Sequence, residues 1–119
     1  MTKILLVDDD PTSSDLLKMF LELESFEVVT ARNLVTARDV LDDSTCVVLL
    51  DYHLSQNVNG LDFLDEIRSG RTKALEDTPV IVTSGDDRAQ ENALEQGANA
   101  FMHKPFAPSE LVVVIRGLL

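Results

Sequence analysis

The stretch Cys46-Val47-Val48-Leu49-Leu50-Asp51 places five apolar residues in succession before a carboxylate. A run this short, without polar alternation, is typical of a strand buried on both faces, as strands are in parallel sheets covered by helices. Asp51 then lies at the carboxyl end of the strand, beyond which the ligands of open α/β sheets bind. Asp is also common in the turn after a strand, so a functional site and an ordinary turn residue both stay open at this point.

The other apolar segments alternate with helical patterns on either side of this strand. Further strands are predicted at residues 3–7, 26–31, 80–84 and 100–104. Helices are predicted after Pro11, after Asn33, from Leu61, after Gly85 and from Pro108. Asp10 and Asn33 precede two of these helices and suit the N-cap position. A strand followed by a helix, repeated five times, predicts an α/β fold whose parallel sheet carries helices on both faces.

Composition limits the classes of function that fit the chain. It has 119 residues, 45% of them hydrophobic, which suits one domain with one core. The apolar runs are too short to span a bilayer and the N-terminus lacks a secretory signal, so we expect a cytoplasmic protein without membrane contact. The net charge of −11 repels phosphate backbones and argues against direct nucleic-acid binding. Cys46, inside an apolar run, is expected to be a core residue.

Polar groups follow four of the five predicted strands. They are Asp8 and Asp9 after the first strand, Asp51 after the third, Ser84 at the end of the fourth and Lys104 at the end of the fifth. In a parallel sheet these ends face one crevice. Two carboxylates roughly 4 Å apart repel by about 4 kcal/mol at an effective dielectric of 20, so three of them need a cation or a raised pKa. Mg²⁺ fits oxygen ligands of this kind. The set predicts phosphoryl transfer with Asp51 as nucleophile, and with Lys104 and Ser84 binding phosphoryl oxygens.

Four short motifs now carry a resemblance to a known family. They are Val7-Asp8-Asp9, Leu50-Asp51, the segment PVIVTSG at residues 79–85, and Lys104-Pro105-Phe106. Their order and spacing resemble the receiver domain of two-component response regulators over essentially the whole chain, residues 1–119. The resemblance implies a flavodoxin-like (βα)5 fold with the strand order 2-1-3-4-5 of chemotaxis regulators.

The same resemblance implies what the chain does and with whom. Asp51 would accept a phosphoryl group from a histidine kinase or a histidine phosphotransfer protein. A downstream effector protein or an output domain would then respond to the change. The chain would be a phosphoacceptor that assists its own phosphorylation and dephosphorylation, not an enzyme, and a monomer or weak dimer. Because the sequence ends with the fifth helix, we expect either a single-domain regulator or a receiver taken from a longer protein.

The resemblance also assigns the ligands of the cation. Asp9 and Asp51 would bind Mg²⁺ directly, together with the backbone carbonyl of His53, while Asp8 would act mainly through water. A zinc site is rejected, because neither His53 nor His103 has a His or Cys partner at ligand spacing.

Further residues are implied to sense the phosphoryl group. Ser84 matches the switch hydroxyl, with Thr83 as the competing position, and Phe101 matches the aromatic side chain that turns inward with it. Phe101 is equally well explained as a core aromatic. The surface of the fourth helix, fifth strand and fifth helix would change with the switch. His53 and Asp86 occupy places from which they would tune the lifetime of the acyl phosphate.

Two departures from the family pattern affect loops. Ser55 stands where relatives often have proline, and the path from Asp51 to Gly60 is one residue longer than usual. The path from Ser84 to Gly97 is about two residues shorter, which affects where the fourth helix starts.

Two other readings of the sequence compete with the receiver. Residues Asp8 to Thr12 fit the pattern D-x-D-x-T, which resembles haloacid dehalogenase-type phosphatases with Asp8 as nucleophile and Asp10 as general acid. The chain is short for that fold, and the reading leaves Asp51 and Lys104 without a role. A receiver-like module that is never phosphorylated would be expected to lack part of the acid, hydroxyl and lysine set, which here is complete.

Overall fold

The computed structural model describes residues 1–119, apart from the side chain of Gln56. Across that range the strands are β1 (Lys3–Val7), β2 (Glu27–Ala31), β3 (Val47–Asp51), β4 (His53–Leu54), β5 (Val58–Asn59), β6 (Val80–Ser84) and β7 (Ala100–His103). The helices are α1 (Pro11–Leu23), α2 (Leu34–Val40), α3 (Leu61–Arg68), α4 (Ala89–Glu95) and α5 (Pro108–Leu118). Five parallel strands form one sheet in the order β2-β1-β3-β6-β7. With the short β4–β5 pair set aside, this is the predicted order 2-1-3-4-5, and the predicted fold class is confirmed.

The two faces of the sheet explain the continuous apolar runs. Every residue of β3 is buried, and its side chains alternate between two hydrophobic clusters. Val48 and Leu50 belong to the cluster that includes α2 and α3, whereas Val47 and Leu49 belong to the one that includes α1 and α5. A strand with helices on both faces has no side exposed to water, so its sequence does not alternate between hydrophobic and polar residues. Cys46 precedes β3 and is only half-buried at the edge of a cluster, so it is less of a core residue than predicted.

Both predicted N-caps are confirmed in atomic detail. The Asp10 carboxylate accepts a hydrogen bond from the backbone N–H of Thr12 at 3.1 Å, and Pro11 begins α1. The side-chain oxygen of Asn33 accepts one from the backbone N–H of Thr36 at 2.8 Å. Each bond satisfies a donor of the first turn that has no partner within the helix. None of the described helices has the length and apolar character needed to cross a membrane.

Between β3 and α3 the structure has a hairpin where the sequence predicted only a loop. β4 and β5 pair antiparallel, with Leu54 opposite Val58, and a 3₁₀ turn over Ser55–Asn57 connects them. Leu54 is only 7% exposed and joins the core, which fixes the hairpin to the body of the domain. Strands of two residues have no periodicity to detect, so the pattern could not predict them.

Helix α4 starts later than its predicted beginning just after Gly85. The hydroxyl oxygen of Ser84 accepts a hydrogen bond from the backbone N–H of Asp86 at 3.0 Å. The Asp86 carboxylate in turn accepts one from the backbone N–H of Arg88 at 2.9 Å. Side chains that bind nearby backbone donors compete with the helix, so residues 85–88 form a turn and α4 begins at Ala89.

Arg68 at the end of α3 holds the segments that lead into β6 and β7. Its guanidinium donates hydrogen bonds of 2.8–2.9 Å to the backbone carbonyls of Glu76, Thr78 and Gly97 and to the side-chain oxygen of Asn99. The same Asn99 oxygen accepts from the backbone N–H at the start of β6. One side chain therefore joins α3 to the segments before β6 and β7, two of the strands whose carboxyl ends carry predicted site residues.

Candidate functional site

The register of the sheet brings the predicted residues to one edge. Val7 at the end of β1 pairs with Leu50, so Asp8 follows β1 beside the position of Asp51. Asp51 in turn pairs with Thr83 on the other side. Carboxylates at adjacent strand ends therefore face the same crevice, as the parallel sheet predicts.

Three carboxylates converge in this crevice. Asp8, Asp9 and Asp51 each offer one oxygen, and these oxygens lie within 4.8 Å of one another. The side chains of Asp8 and Asp51 are 5% and 10% exposed, whereas Asp9 is partly exposed. Crowded oxygens of this kind are the ligands that a hard divalent cation takes.

Lys104 is the cation that the structure places against this cluster. Its Nζ lies 3.1 Å from Oδ2 of Asp51 and 4.0 Å from Oδ2 of Asp8. Although β7 ends at His103, the backbone N–H of Lys104 still donates to the carbonyl of Ser84 at 2.9 Å, which holds it at the sheet edge. Three carboxylates against one ammonium leave the crevice negative. A further cation is therefore favoured at this position.

Burial raises the pKa of Asp51 above its usual range. Lys104 acts in the opposite direction but does not cancel the loss of hydration, and the charge of Asp8 raises the pKa further. The ionised form of Asp51 is thus disfavoured in the folded protein relative to the unfolded chain. A divalent cation at the cluster would favour the ionised form instead.

We expect Asp51→Asn to stabilise the protein at neutral pH in the absence of divalent cations, because it removes a carboxylate whose ionised form burial disfavours. A raised folded-state pKa contributes stability that is complete below the unfolded value and is lost as the pH rises through the folded value. Asparagine imitates the protonated carboxyl, so the gain should vanish in acid, below the ordinary pKa of 3.8. Urea unfolding of both proteins across pH measures this, and a gain that persists in acid would contradict it.

Ser84 and Phe101 lie on the strands where the sequence predicts them, and Ser84 forms no hydrogen bond with Asp51, both of which the structure describes. Ser84 is 1% exposed at the end of β6, and its hydroxyl oxygen accepts the bond from Asp86 described above. Thr83 is also buried. Its side chain lies on the other face of the strand, where it lines a pocket together with Asp8 and Lys104. Phe101 on β7 is half-buried against the hydrophobic cluster that includes α3. Their predicted switch roles stay predictions.

His53 and Asp86 lie at the rim of the crevice. The backbone N–H of His53 donates to Oδ1 of Asp51 at 3.3 Å, and its exposed ring packs edge-on against Tyr52, with centroids 4.6 Å apart. Hydrogen bonds from Arg88 lower the pKa of Asp86, with which Arg88 forms an ion pair of 3.1 Å. Their predicted effects on phosphate lifetime are not tested by these contacts.

Sequence reasoning missed two contacts near the crevice. The Ser55 hydroxyl donates to Oδ2 of Asp9 at 2.7 Å, although the sequence marked Ser55 only as a departure. Nε2 of His103 lies 2.8 Å from a carboxylate oxygen of Asp87, which joins β7 to the turn before α4. Each contact depends on how a loop folds, and no local pattern in the sequence indicates either.

The geometry disfavours Asp10 as a general acid. Its carboxylate caps α1 through Thr12, and its backbone N–H donates to Oδ1 of Asp8 at 3.0 Å. Asp10 thus supports the helix and the orientation of Asp8, which are structural tasks. The phosphatase hypothesis is therefore left without its general acid, and it still gives Asp51 and Lys104 no role.

Comparisons with known proteins agree with this geometry. Residues 4–116 match the family model described as response regulator receiver domain. The transcriptional regulatory protein CpxR of Escherichia coli is 41% identical over 121 residues, which cover 100% of this chain and 50% of that protein. The transcriptional regulatory protein SrrA of Staphylococcus aureus is 32% identical over 120 residues, 98% of this chain and 47% of that protein. The chain thus spans about half the length of these relatives.

Solved structures give the same result for the fold. The non-phosphorylated receiver domain of HemR from Leptospira biflexa superposes with a TM-score of 0.86 at 26% identity, covering 99% of this chain and 94% of that one. The response regulator TrrA from Thermotoga maritima, solved with Mg²⁺ and BeF, gives a TM-score of 0.83 at 27% identity, with 100% of both chains covered. None of these similarities to known proteins favours the alternative of a haloacid dehalogenase-type phosphatase.

Proposed function

Because the chain belongs to the family of response regulator receiver domains, we propose that Asp51 is the residue that accepts the phosphoryl group. One observation carries the proposal. Asp51 is a buried carboxylate at a strand end, held at 3.1 Å by Lys104 and grouped with two other acids. A nucleophile, a cation and a set of oxygen ligands in one crevice are the components that phosphoryl transfer needs.

The donor set fits Mg²⁺, which we propose as the cofactor. Asp9 and Asp51 would hold the ion directly with the backbone carbonyl of His53, and Asp8 would act through water. The oxygens of the three carboxylates are close enough together to share one ion, and oxygen is a hard ligand. When bound, the ion supplies positive charge to the oxygens of the phosphoryl group in transfer.

Asp51 and Lys104 divide the chemistry between them. An Asp51 carboxylate oxygen attacks the phosphorus of the donor, forms an O–P bond and displaces the donor's leaving group, which departs with the electron pair of the broken bond. The Lys104 ammonium already lies beside that carboxylate, so it can donate a hydrogen bond to a phosphoryl oxygen and stabilise the negative charge there. The chain would in this way assist its own phosphorylation and, with water as nucleophile, its dephosphorylation.

The phosphoryl group would act on the protein through Ser84. It adds about two negative charges and three acceptor oxygens to the crevice. If the Ser84 hydroxyl moves to donate to one of these oxygens, the hydrogen bond that it accepts from the backbone N–H of Asp86 either breaks or draws residues 85–88 along with it. We propose that this movement, with Phe101 following, changes the surface of α4, β7 and α5.

The proposed partners follow from the family. A histidine kinase or a histidine phosphotransfer protein would supply the phosphoryl group, and a downstream effector or output domain would read the altered surface. The matched relatives are named transcriptional regulatory proteins and are about twice as long as this chain, which leaves room in them for an output region.

Acetyl phosphate tests the proposal without a kinase. We expect intact-mass measurement of the chain, incubated with acetyl phosphate and Mg²⁺, to show the mass of one added phosphoryl group. Because the ion belongs to the proposed site, EDTA should prevent labelling. Absence of labelling in every condition would contradict the proposal and favour an interaction module that is never phosphorylated.

A further inference from the structure

Ser55 joins the hairpin after β3 to the acidic cluster through a single hydrogen bond. Its hydroxyl donates to Oδ2 of Asp9 at 2.7 Å, between residues 46 positions apart. We propose that Ser55 is a positioning residue of the cation site, whose hydroxyl fixes the Asp9 carboxylate in the orientation that binds Mg²⁺. The inference rests on the proposed function, since it gives Asp9 its importance as a ligand of the ion.

The backbone of Ser55 is held in place independently of Asp9. Leu54, directly before it, is buried in the core and pairs with Val58 across the hairpin. The backbone N–H of Val58 donates to the carbonyl of Ser55 and closes the 3₁₀ turn. The backbone on both sides of Ser55 is therefore fixed, so the hydroxyl is presented to Asp9 from a defined position.

Asp9 is the member of the cluster that most needs such a partner. It is partly exposed, whereas Asp8 and Asp51 are buried, so packing restricts its rotation least. Each of the three carboxylates has at least one oxygen that accepts a hydrogen bond from a different residue. These partners are the backbone N–H of Asp10 for Asp8, the ammonium of Lys104 for Asp51 and the hydroxyl of Ser55 for Asp9.

The chemistry of the partner matters as well as its position. The bond engages Oδ2 of Asp9, so the other carboxylate oxygen keeps its lone pairs for an ion. A hydroxyl is neutral, so it orients the carboxylate without cancelling the charge that attracts the cation, as a lysine would. Carboxylates that ligate metals are commonly held by such outer partners, and removing one weakens metal affinity about 10–100-fold.

A Mg²⁺ titration of the whole chain, followed through its backbone amide NMR signals, tests the proposal without any phosphodonor. We expect Ser55→Ala to raise the Kd for Mg²⁺ about 10-fold, the lower end of the usual range, because Ser55 is exposed. Ser55→Thr keeps the hydroxyl and should restore an affinity within about twofold of the wild type.

Ser44→Ala is the matched control. The Ser44 hydroxyl also donates to an aspartate, Asp42, but it precedes β3 and so belongs to the opposite edge of the sheet. Its loss should leave the Kd for Mg²⁺ unchanged. A Ser55→Ala protein that binds Mg²⁺ as tightly as the wild type would overturn the role of Ser55, and so would equal weakening in the Ala and Thr variants. Failure of the wild type itself to bind Mg²⁺ would instead contradict the proposed cation site.

Discussion

Asp51→Asn is expected to abolish phosphoryl labelling by acetyl phosphate, with a loss of at least about 100-fold in rate. An amide lacks the charged oxygen that would attack phosphorus, and under the proposed function the neighbouring carboxylates of Asp8 and Asp9 serve the cation instead. The fold should survive, because asparagine has nearly the shape of aspartate and removes a buried charge. Time courses of intact mass, with Mg²⁺ present, measure the effect directly.

Asp8→Asn is the matched comparison for this experiment. It removes one charge from the same cluster, at a residue that is also buried, but it leaves Asp51 and Lys104 in contact. We expect labelling to slow by about 10-fold, since a neutral partner weakens the cation site without removing the nucleophile. Undiminished labelling of Asp51→Asn, together with its loss in Asp8→Asn, would move the nucleophile to Asp8 and contradict the proposed function.

The parts of this site that the sequence predicts are those carried by regular elements. Five apolar segments indicate the strands, and parallel strands share an edge, so Asp8, Asp51 and Lys104 follow from counting to the strand ends. The structure brings these three together within salt-bridge distance. Prediction succeeds here because the backbone geometry of a sheet leaves little freedom at its edge.

The parts that escaped prediction depend on irregular backbone. Ser55 contacts Asp9 from the 3₁₀ turn of a hairpin whose two strands have only two residues each. His103 meets Asp87 only because the turn before α4 is longer than the sequence indicated. Contacts between residues so far apart in sequence are set by tertiary packing, which outweighs local propensity in short segments.

Gly60 shows how a residue that entered the sequence analysis only as the end of a loop can be important to the site. A Cβ atom added there would overlap the backbone carbonyl oxygen of Asp51 and crowd the side chain of Leu50. The backbone of Gly60 is also fixed, since its N–H donates to the carbonyl of Tyr52 at 2.8 Å. The start of α3 therefore packs directly on the peptide group of the proposed phosphoacceptor, an approach that only glycine permits.

We expect Gly60→Ala to lower the free energy of unfolding by about 3 kcal/mol, because a methyl group forced against a fixed backbone cannot be relieved by a side-chain rotation. The shift needed to admit it would move Asp51 itself, so labelling by acetyl phosphate should also slow at temperatures where the variant is folded. Urea unfolding and labelling rates measure the two effects separately.

Gly117→Ala is the control that separates this clash from a general effect of removing glycine. Gly117 lies in α5, and a Cβ atom there meets nothing within 4 Å. Because alanine favours a helix more than glycine does, the control should gain up to about 1 kcal/mol of stability and label like the wild type. A Gly60→Ala protein as stable as this control would mean that the start of α3 does not pack against the peptide group of Asp51 in solution.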